Sequence, residues 1–321
     1  KINVEFSPQV LGLITDTLTI YSPDLFGNAF FQVGISGIGI NESILTGSIS
    51  DTLFQNQTYF ITEDIIVDQG DSLVIQAGAV LKFYPNVQFI INGYLEAQGT
   101  EQNRIIFDKN ESMENWGGVR LNDSMDDTSI LDYLSIKNST QYGIYMYSVH
   151  LNFNHIDISN TIPNPEWFEG GMGLSINNST VQLLNCTITE NELSQWEYDY
   201  SGAGLYIYNS IVGITNCIVF NNHGPDIMMS DWGDTSELYI AYCNLPVDGI
   251  IDNNSVITYL DGNIYSDPFL CEPTLSNLRL EENSPCIGGG QDGLNIGAFG
   301  VGCDVVIIPV CTDITACNYN V

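Results

Sequence analysis

One short apolar phrase, repeated at intervals of 22 to 31 residues, constrains this 321-residue chain more than any other feature. The pattern x-φ-x-x-φ-x-φ, with φ apolar, recurs in SILDYLSI, LNFNHIDI, VQLLNCTI, VGITNCIV and ELYIAYCNL. Its third apolar position falls on Leu134, Ile156, Cys186, Cys217 and Cys243, in steps of 22, 30, 31 and 26. Each copy is too short and too strictly alternating for a helix, so it reads as a strand. Copies joined by turn residues, with no helical segment between them, predict parallel strands stacked rung upon rung. The expected fold class is all-β, a right-handed parallel β-helix of about ten rungs, near 48 Å long if each rung adds about 4.8 Å.

The remainder of each rung fits that reading. Asn138, Asn160, Asn191 and Asn222 follow successive strands. Asn tolerates the left-handed conformation and bonds its own backbone, which suits a stacked corner. Gly-rich stretches, Gly170-Gly171-Met172-Gly173 and Gly202-Ala203-Gly204, lead into the matching segments from Leu174 and Leu205.

These features resemble the secreted β-helix repeat proteins of the pectin-lyase-like fold. The resemblance spans residues 41–302. Ala79-Val-Leu-Lys-Phe83, Gly93-Tyr-Leu-Glu-Ala-Gln-Gly-Thr100 and Arg104-Ile-Ile-Phe107 are similar to the opening coils of such proteins. Ser266-Asp-Pro-Phe269, Asn283-Ser-Pro-Cys286-Ile287 and Ile296-Gly-Ala-Phe-Gly300 resemble their closing coil. Residues 1–40 alternate like three or four antiparallel strands and resemble part of an Ig-like module. Residues 303–321 resemble the start of a short Cys-containing tandem repeat of secreted proteins from Bacteroidetes-like bacteria. The resemblance implies a piece of a larger exported, extracellular or cell-surface protein. Because one fold hosts lyases, hydrolases, adhesins and inert scaffolds, it says little about activity.

Seven Lys and Arg face 39 Asp and Glu, a formal charge of −32. Such a chain lacks the clustered cations that nucleic acids and anionic membranes require. A polyanionic substrate would need bridging cations, so Ca²⁺ is the one candidate cofactor. No run of apolar residues is long enough for a membrane span.

Cys186, Cys217 and Cys243 are expected in one buried, inward-facing ladder, either as free thiols or with a bridge between adjacent rungs. One disulfide is expected among Cys271, Cys286 and Cys303, and Cys311 and Cys317 form a further candidate pair. Nine N-x-S/T sequons read mostly as chance in so Asn-rich a chain. Asp-(Ser/Thr)-apolar triplets place Thr17, Thr52, Ser72 and Ser124 in a pattern resembling the O-glycosylation motif of Bacteroidetes exported proteins.

No lyase or hydrolase motif is recognisable, and no catalytic residue is assigned. Asp126-Asp127 reads as a loop, His223-Gly224 lacks a following Arg-x-Lys, and His150 and His155 read as surface residues. Lys82, Arg104, Arg120 and Lys137 are candidates to share one face. Three aromatic and acidic stretches offer a better surface: Pro165–Glu169, Gln195–Tyr200 and Ser230–Asp234. Trp steps of 29 and 36 place them along one edge. Trp167, Trp196, Tyr198 and Trp232 would stack on sugar rings. Glu169, Glu197, Asp199, Asp231 and Asp234 would bond hydroxyls or hold Ca²⁺. The structural reading is that each Trp only anchors its own loop. The expected function is a structural or adhesive segment able to bind a polysaccharide or cell-surface glycan. The alternatives are a polysaccharide lyase or glycoside hydrolase, and a self-associating filament subunit.

Overall fold

The computed structural model describes residues 12–24, 27–39, 43–111, 113–163, 172–193, 202–230, 235–253 and 255–303. The chain divides into two compact units, one ending at Ser43 and the other beginning at Ile44. In the first unit Gly12–Asp24 pairs antiparallel with Gly27–Gly39, in register from Gly12 against Gly39 to Asp24 against Gly27. Two long strands thus stand, among the described residues, where three or four were expected.

The second unit is a parallel solenoid of triangular section. Nine strands stack on its third face, from Asp51–Leu53 to Val256–Tyr259. The first and second faces carry seven and eight strands and share Thr58–Val67, which turns a corner and serves both. Seven coils therefore carry all three faces, fewer than the ten rungs expected. Alternation drives the packing, since successive side chains in a strand point to opposite sides. Ile136, Ile158, Ile188 and Val219 stand in register on the first face, Ile144, Leu174, Leu205 and Ile227 on the second, and Phe153, Leu183, Ile214 and Ile240 on the third. All twelve are buried in one continuous core. At its N-terminal half the core is aromatic, with Trp116 stacked on Phe83 at 4.1 Å and donating from Nε1 to the Lys137 carbonyl at 2.8 Å.

The first four repeated phrases prove to be two strands each, and the fifth a strand followed by an isolated bridge at Asn244. SILDYLSI runs through Ile130–Asp132 on the third face and Leu134–Lys137 on the first. The break between them is a residue with positive φ: Tyr133, His155, Asn185, Asn216 and Tyr242 in successive coils. A second left-handed column comprises Asn138, Asn160, Glu190 and Asn221, and a third Ser148, Asn178 and Asn209. Asn191 and Asn222 are therefore not the turning residues; each sits one place later and is buried.

The residue after each left-handed position solves a specific problem. A backbone N–H at a corner points away from the strand ladders and still needs an acceptor. At one corner the amide of Val149 donates to Ser179 Oγ, that of Ser179 to Ser210 Oγ, and that of Ser210 to Ser236 Oγ, at 3.0, 2.9 and 3.2 Å. At another, the Cys186 amide donates to Cys217 Sγ and the Cys217 amide to Cys243 Sγ, both at 3.4 Å. At the remaining corner the Thr161 amide donates to Asn191 Oδ1 and the Asn191 amide to Asn222 Oδ1, and Asp226 closes the series by accepting from Asn222. Side chains in all three ladders also donate to the carbonyl two residues before them, as in Ser210 to Tyr208, Cys217 to Thr215 and Asn191 to Thr189. Glycine is required beside the Asn ladder: a Cβ on Gly204 would lie 2.4 Å from the Asp226 carbonyl oxygen and 2.8 Å from Asn222 Nδ2.

The closing segment is not a coil. After Ile264 the chain makes a hairpin, Leu270–Glu272 with Asn277–Leu280, then returns along the outside of the first face as a strap. The Gly297 amide donates to the Asn216 carbonyl at 2.8 Å and the Ala298 amide to Thr187 Oγ1 at 2.9 Å. Beneath the strap lies a second apolar cluster of Ile218, Leu278, Leu280, Cys286 and Ile296. A disulfide joins Cys271 to Cys303, while Cys286 is a buried free thiol.

Ser210→Ala removes the acceptor for the Ser179 amide and is expected to cost about 1–3 kcal/mol in denaturant unfolding, whereas Cys217→Ser keeps the relay and costs less. Burial raises the Asp226 carboxyl to about 6, against the hydrogen bonds from Asn222 and the nearby His223. Because the folded value lies above the unfolded one, its contribution to stability is complete below about pH 4 and is lost as pH rises through about 6. Asp226→Asn should therefore gain stability relative to wild type across that window, by up to about 3 kcal/mol at pH 7, measured by denaturant titrations at several pH values.

Candidate functional site

All nine residues singled out for ligand binding fall outside the described residues: Trp167, Trp196, Tyr198, Trp232, Glu169, Glu197, Asp199, Asp231 and Asp234, as do Cys311 and Cys317. The expected alignment of the aromatic stretches along one edge therefore also lies outside the described residues.

Other expectations resolve individually. Cys186, Cys217 and Cys243 are buried free thiols in one column, and burial raises the Cys186 and Cys217 thiols well above the ordinary value. Asp126 accepts from the Thr128 amide and hydroxyl, which lower its carboxyl, and Asp127 accepts from the His150 amide at 3.0 Å. Asp126 caps its own turn, and Asp127 holds the start of the third-face strand in the next coil. His223 is exposed, with Nε2 3.5 Å from Glu190 Oε2. The four cations do not share a face. Lys82 pairs with Asp108 at 3.1 Å on the first face and Lys137 ends a first-face strand, whereas Arg120 lies on the second face over the Tyr145 ring at 4.9 Å. Ser72 is exposed at the start of a strand, Thr52 and Ser124 are half-buried, and Thr17 belongs to the Gly12–Asp24 strand.

Arg104 occupies the corner that precedes a first-face strand, beside a cleft under the strap. Its guanidinium donates to Asp157 Oδ1 at 2.8 Å, to Ser135 Oγ at 3.1 Å and to the carbonyls of Leu134, His155 and Ala298. Its cationic face lies 4.4 Å from the Phe299 ring centroid. Asp157, 1% exposed, is further bonded by Ser135 Oγ at 2.5 Å. A buried pair of this kind needs nearly every donor and lone pair engaged, and here the strap supplies part of that shell.

Beside Arg104, the strap and the left-handed corner column enclose a cleft of about 380 Å³, lined by Glu101, Tyr133, His155, Asn185, Asn295 and Phe299. Tyr133 and His155 come from successive coils and stack at 4.1 Å, 6° from parallel. His155 is therefore half-buried against Tyr133 rather than a free surface residue. Burial lowers its pKa, an effect only partly opposed by Asp132, so the imidazole is neutral at pH 7. Nδ1 lies 3.4 Å from Asp132 Oδ1 without hydrogen-bond alignment, and neither atom has a hydrogen-bond partner among the described residues. A neutral imidazole beside a carboxylate has the composition of a base and its orienting group. Among the described residues, no group of three or more His, Cys, Asp or Glu side chains is placed to hold a metal ion.

Sequence reasoning missed Arg104 as the hub, the Tyr133–His155 pair, and the tyrosines of the second face. Of the last, Tyr145, Tyr147, Tyr206 and Tyr208 were legible as outward positions, since the alternating Ile144, Met146, Leu205 and Ile207 are core.

Comparison with known proteins agrees with this architecture. Residues 117–284, just over half of the chain, match the family described as right handed beta helix region. Protein bark beetle of Drosophila melanogaster is 42% identical over 50 residues, which is 16% of this chain and 2% of that protein's length. No solved structure matches the chain. The coil of parallel strands and the family match lead to one assignment: this chain belongs to the right-handed β-helix family.

Proposed function

We propose that the chain is a structural and adhesive segment of an exported, cell-surface protein. The observation that carries this reading is the satisfaction of the corner amides by three stacked side-chain ladders. They bond the corners of the later coils from one coil to the next, as the strand ladders bond the faces. Export is supported by the Cys271–Cys303 disulfide, a bond that persists in oxidising compartments. Function on such a solenoid resides in what its outer surface and inserted loops hold.

One competing reading has a specific place in the structure. A polysaccharide lyase or hydrolase would use the Tyr133–His155 cleft, where Asp132 and a neutral imidazole stand together. Several features favour adhesion. His155 Nε2 lies against the Tyr133 hydroxyl at 3.4 Å, and the Arg104 guanidinium is committed to Asp157 and three carbonyls.

The test is incubation with neutral and acidic polysaccharides, with and without Ca²⁺, followed by assay for new reducing ends and unsaturated products, and by limited proteolysis. The expected result is no turnover and a protease-resistant fragment spanning residues 44–303. Turnover that His155→Ala or Asp132→Asn abolishes would overturn the proposal and make the cleft an active site.

A further inference from the structure

The second face differs chemically from the rest of the molecule. In a chain with 46 charged side chains of Lys, Arg, Asp and Glu, 7 basic and 39 acidic, its six middle strands, from Gln88–Ile91 to Ile227–Met229, carry one, Arg120, while Glu63 and Asp64 lie in the shared corner strand and Asp252 in the last strand. Strands of the other two faces contain Lys82, Asp108, Lys109, Lys137 and Asp157, or Glu96, Asp132 and Glu237. What the second face presents is tyrosine. Tyr145 stands two rungs from Tyr206, through Ser175, and Tyr147 two rungs from Tyr208, through Asn177.

Tyr145 and Tyr206 are held in place by their neighbours. Tyr145 is covered by the Arg120 guanidinium at 4.9 Å and meets Tyr142 at 5.1 Å. Tyr142 and Tyr206 pack against a satellite cluster of Met172, Leu193 and Ala203. Tyr147 is 44% exposed, and Tyr208 is half-buried. A tyrosine fixed in this way offers an apolar ring face and a polar tip at little cost in conformational entropy.

We propose that the second face binds an extended, uncharged, β-linked glycan lying along the solenoid axis. Two observations select that occupant. Two rungs separate like tyrosines by about 10 Å. A ribbon-like β-1,4-linked chain presents the same sugar face once per disaccharide, at a closely similar interval. Charge then excludes the acidic alternative. The chain carries −32 overall, and the one cation of this face is already committed to the Tyr145 ring and to Asn122 Oδ1. An anionic glycan would meet repulsion without a free counter-charge. This inference rests on the adhesive reading and gives it a location and a ligand class.

The experiment is calorimetric titration of the whole chain with cellohexaose, xylohexaose and mannohexaose, and with polygalacturonate. Wild type is compared with Tyr147→Ala, Tyr208→Ala, the double variant, and Tyr239→Ala on the third face as a control. Circular dichroism and thermal melting check that each variant is folded. The expected result is binding of at least one neutral hexasaccharide. Each second-face variant should lose roughly tenfold in affinity and the double variant more, as for removal of a stacked aromatic ring. The Tyr239 variant should be unchanged. Neutral glycan bound equally by the double variant would overturn the tyrosine site and leave the adhesive reading standing. Failure to bind any glycan would overturn both. Preference for polygalacturonate, or a change confined to self-association, would overturn the uncharged-glycan assignment.

Discussion

The whole structure depends on how a coiled backbone satisfies its amides where it turns. On the faces, parallel strands exchange hydrogen bonds in the ordinary way. At the corners the chain passes through a left-handed residue, and the next N–H has no strand partner. Ser, Cys and Asn each meet the same need here, because each can accept from the coil before and donate to a carbonyl two residues back. The thiol is the weakest of the three donors, yet it fills the apolar corner without adding a strongly polar group. An unsatisfied buried amide costs about 1–3 kcal/mol, so a corner lacking its ladder would lose that much at every coil. The later coils close their corners with these ladders, whereas earlier corners use backbone turns such as the Ala79 N–H to the Gln76 carbonyl and the Val87 N–H to the Tyr84 carbonyl.

The strap is a second constraint, and it shapes the surface. By returning along the first face, it buries Asp157, Thr187, Ile218 and Asn244, which would otherwise face water. Arg104 and Asp157 fix its position through the Ala298 carbonyl and the Phe299 ring. Buried ion pairs are poor sources of net stability, but they specify register well. A strap set one residue out of place would strand the guanidinium. With part of the first face covered by the strap, the middle of the second face remains as a tyrosine-rich side of the solenoid with a single charged side chain, Arg120.

The fold was legible in the sequence to the extent that local alternation carries it. Cys186, Cys217 and Cys243 were readable as one buried column because their neighbours repeat the same apolar phrase. Bends inside that phrase were harder to see. Tyr133 is a bulky residue not expected at positive φ, and the stacked backbone holds it and His155 there. Asn191 and Asn222 were visible as corner residues, but their burial depends on the coil above and below. Part of the Asn-rich, sequon-like character now has a cause, since Asn185-Cys186-Thr187 is a left-handed residue, a ladder thiol and a buried strand residue. The strap was not legible, because its decisive contact joins Arg104 to Ala298 across 194 residues. The same holds for His155, whose environment is set by a tyrosine one coil away.

The central claim is tested most directly by hydrogen exchange resolved to single amides. The account predicts that the N–H groups of Val149, Ser179, Ser210, Cys186, Cys217 and Asn191, which reside at corners, exchange as slowly as those of neighbouring strand residues such as Ile176 and Ile188. Rapid exchange at the corners beside protected strands would show that the ladders do not hold there, and would contradict the account.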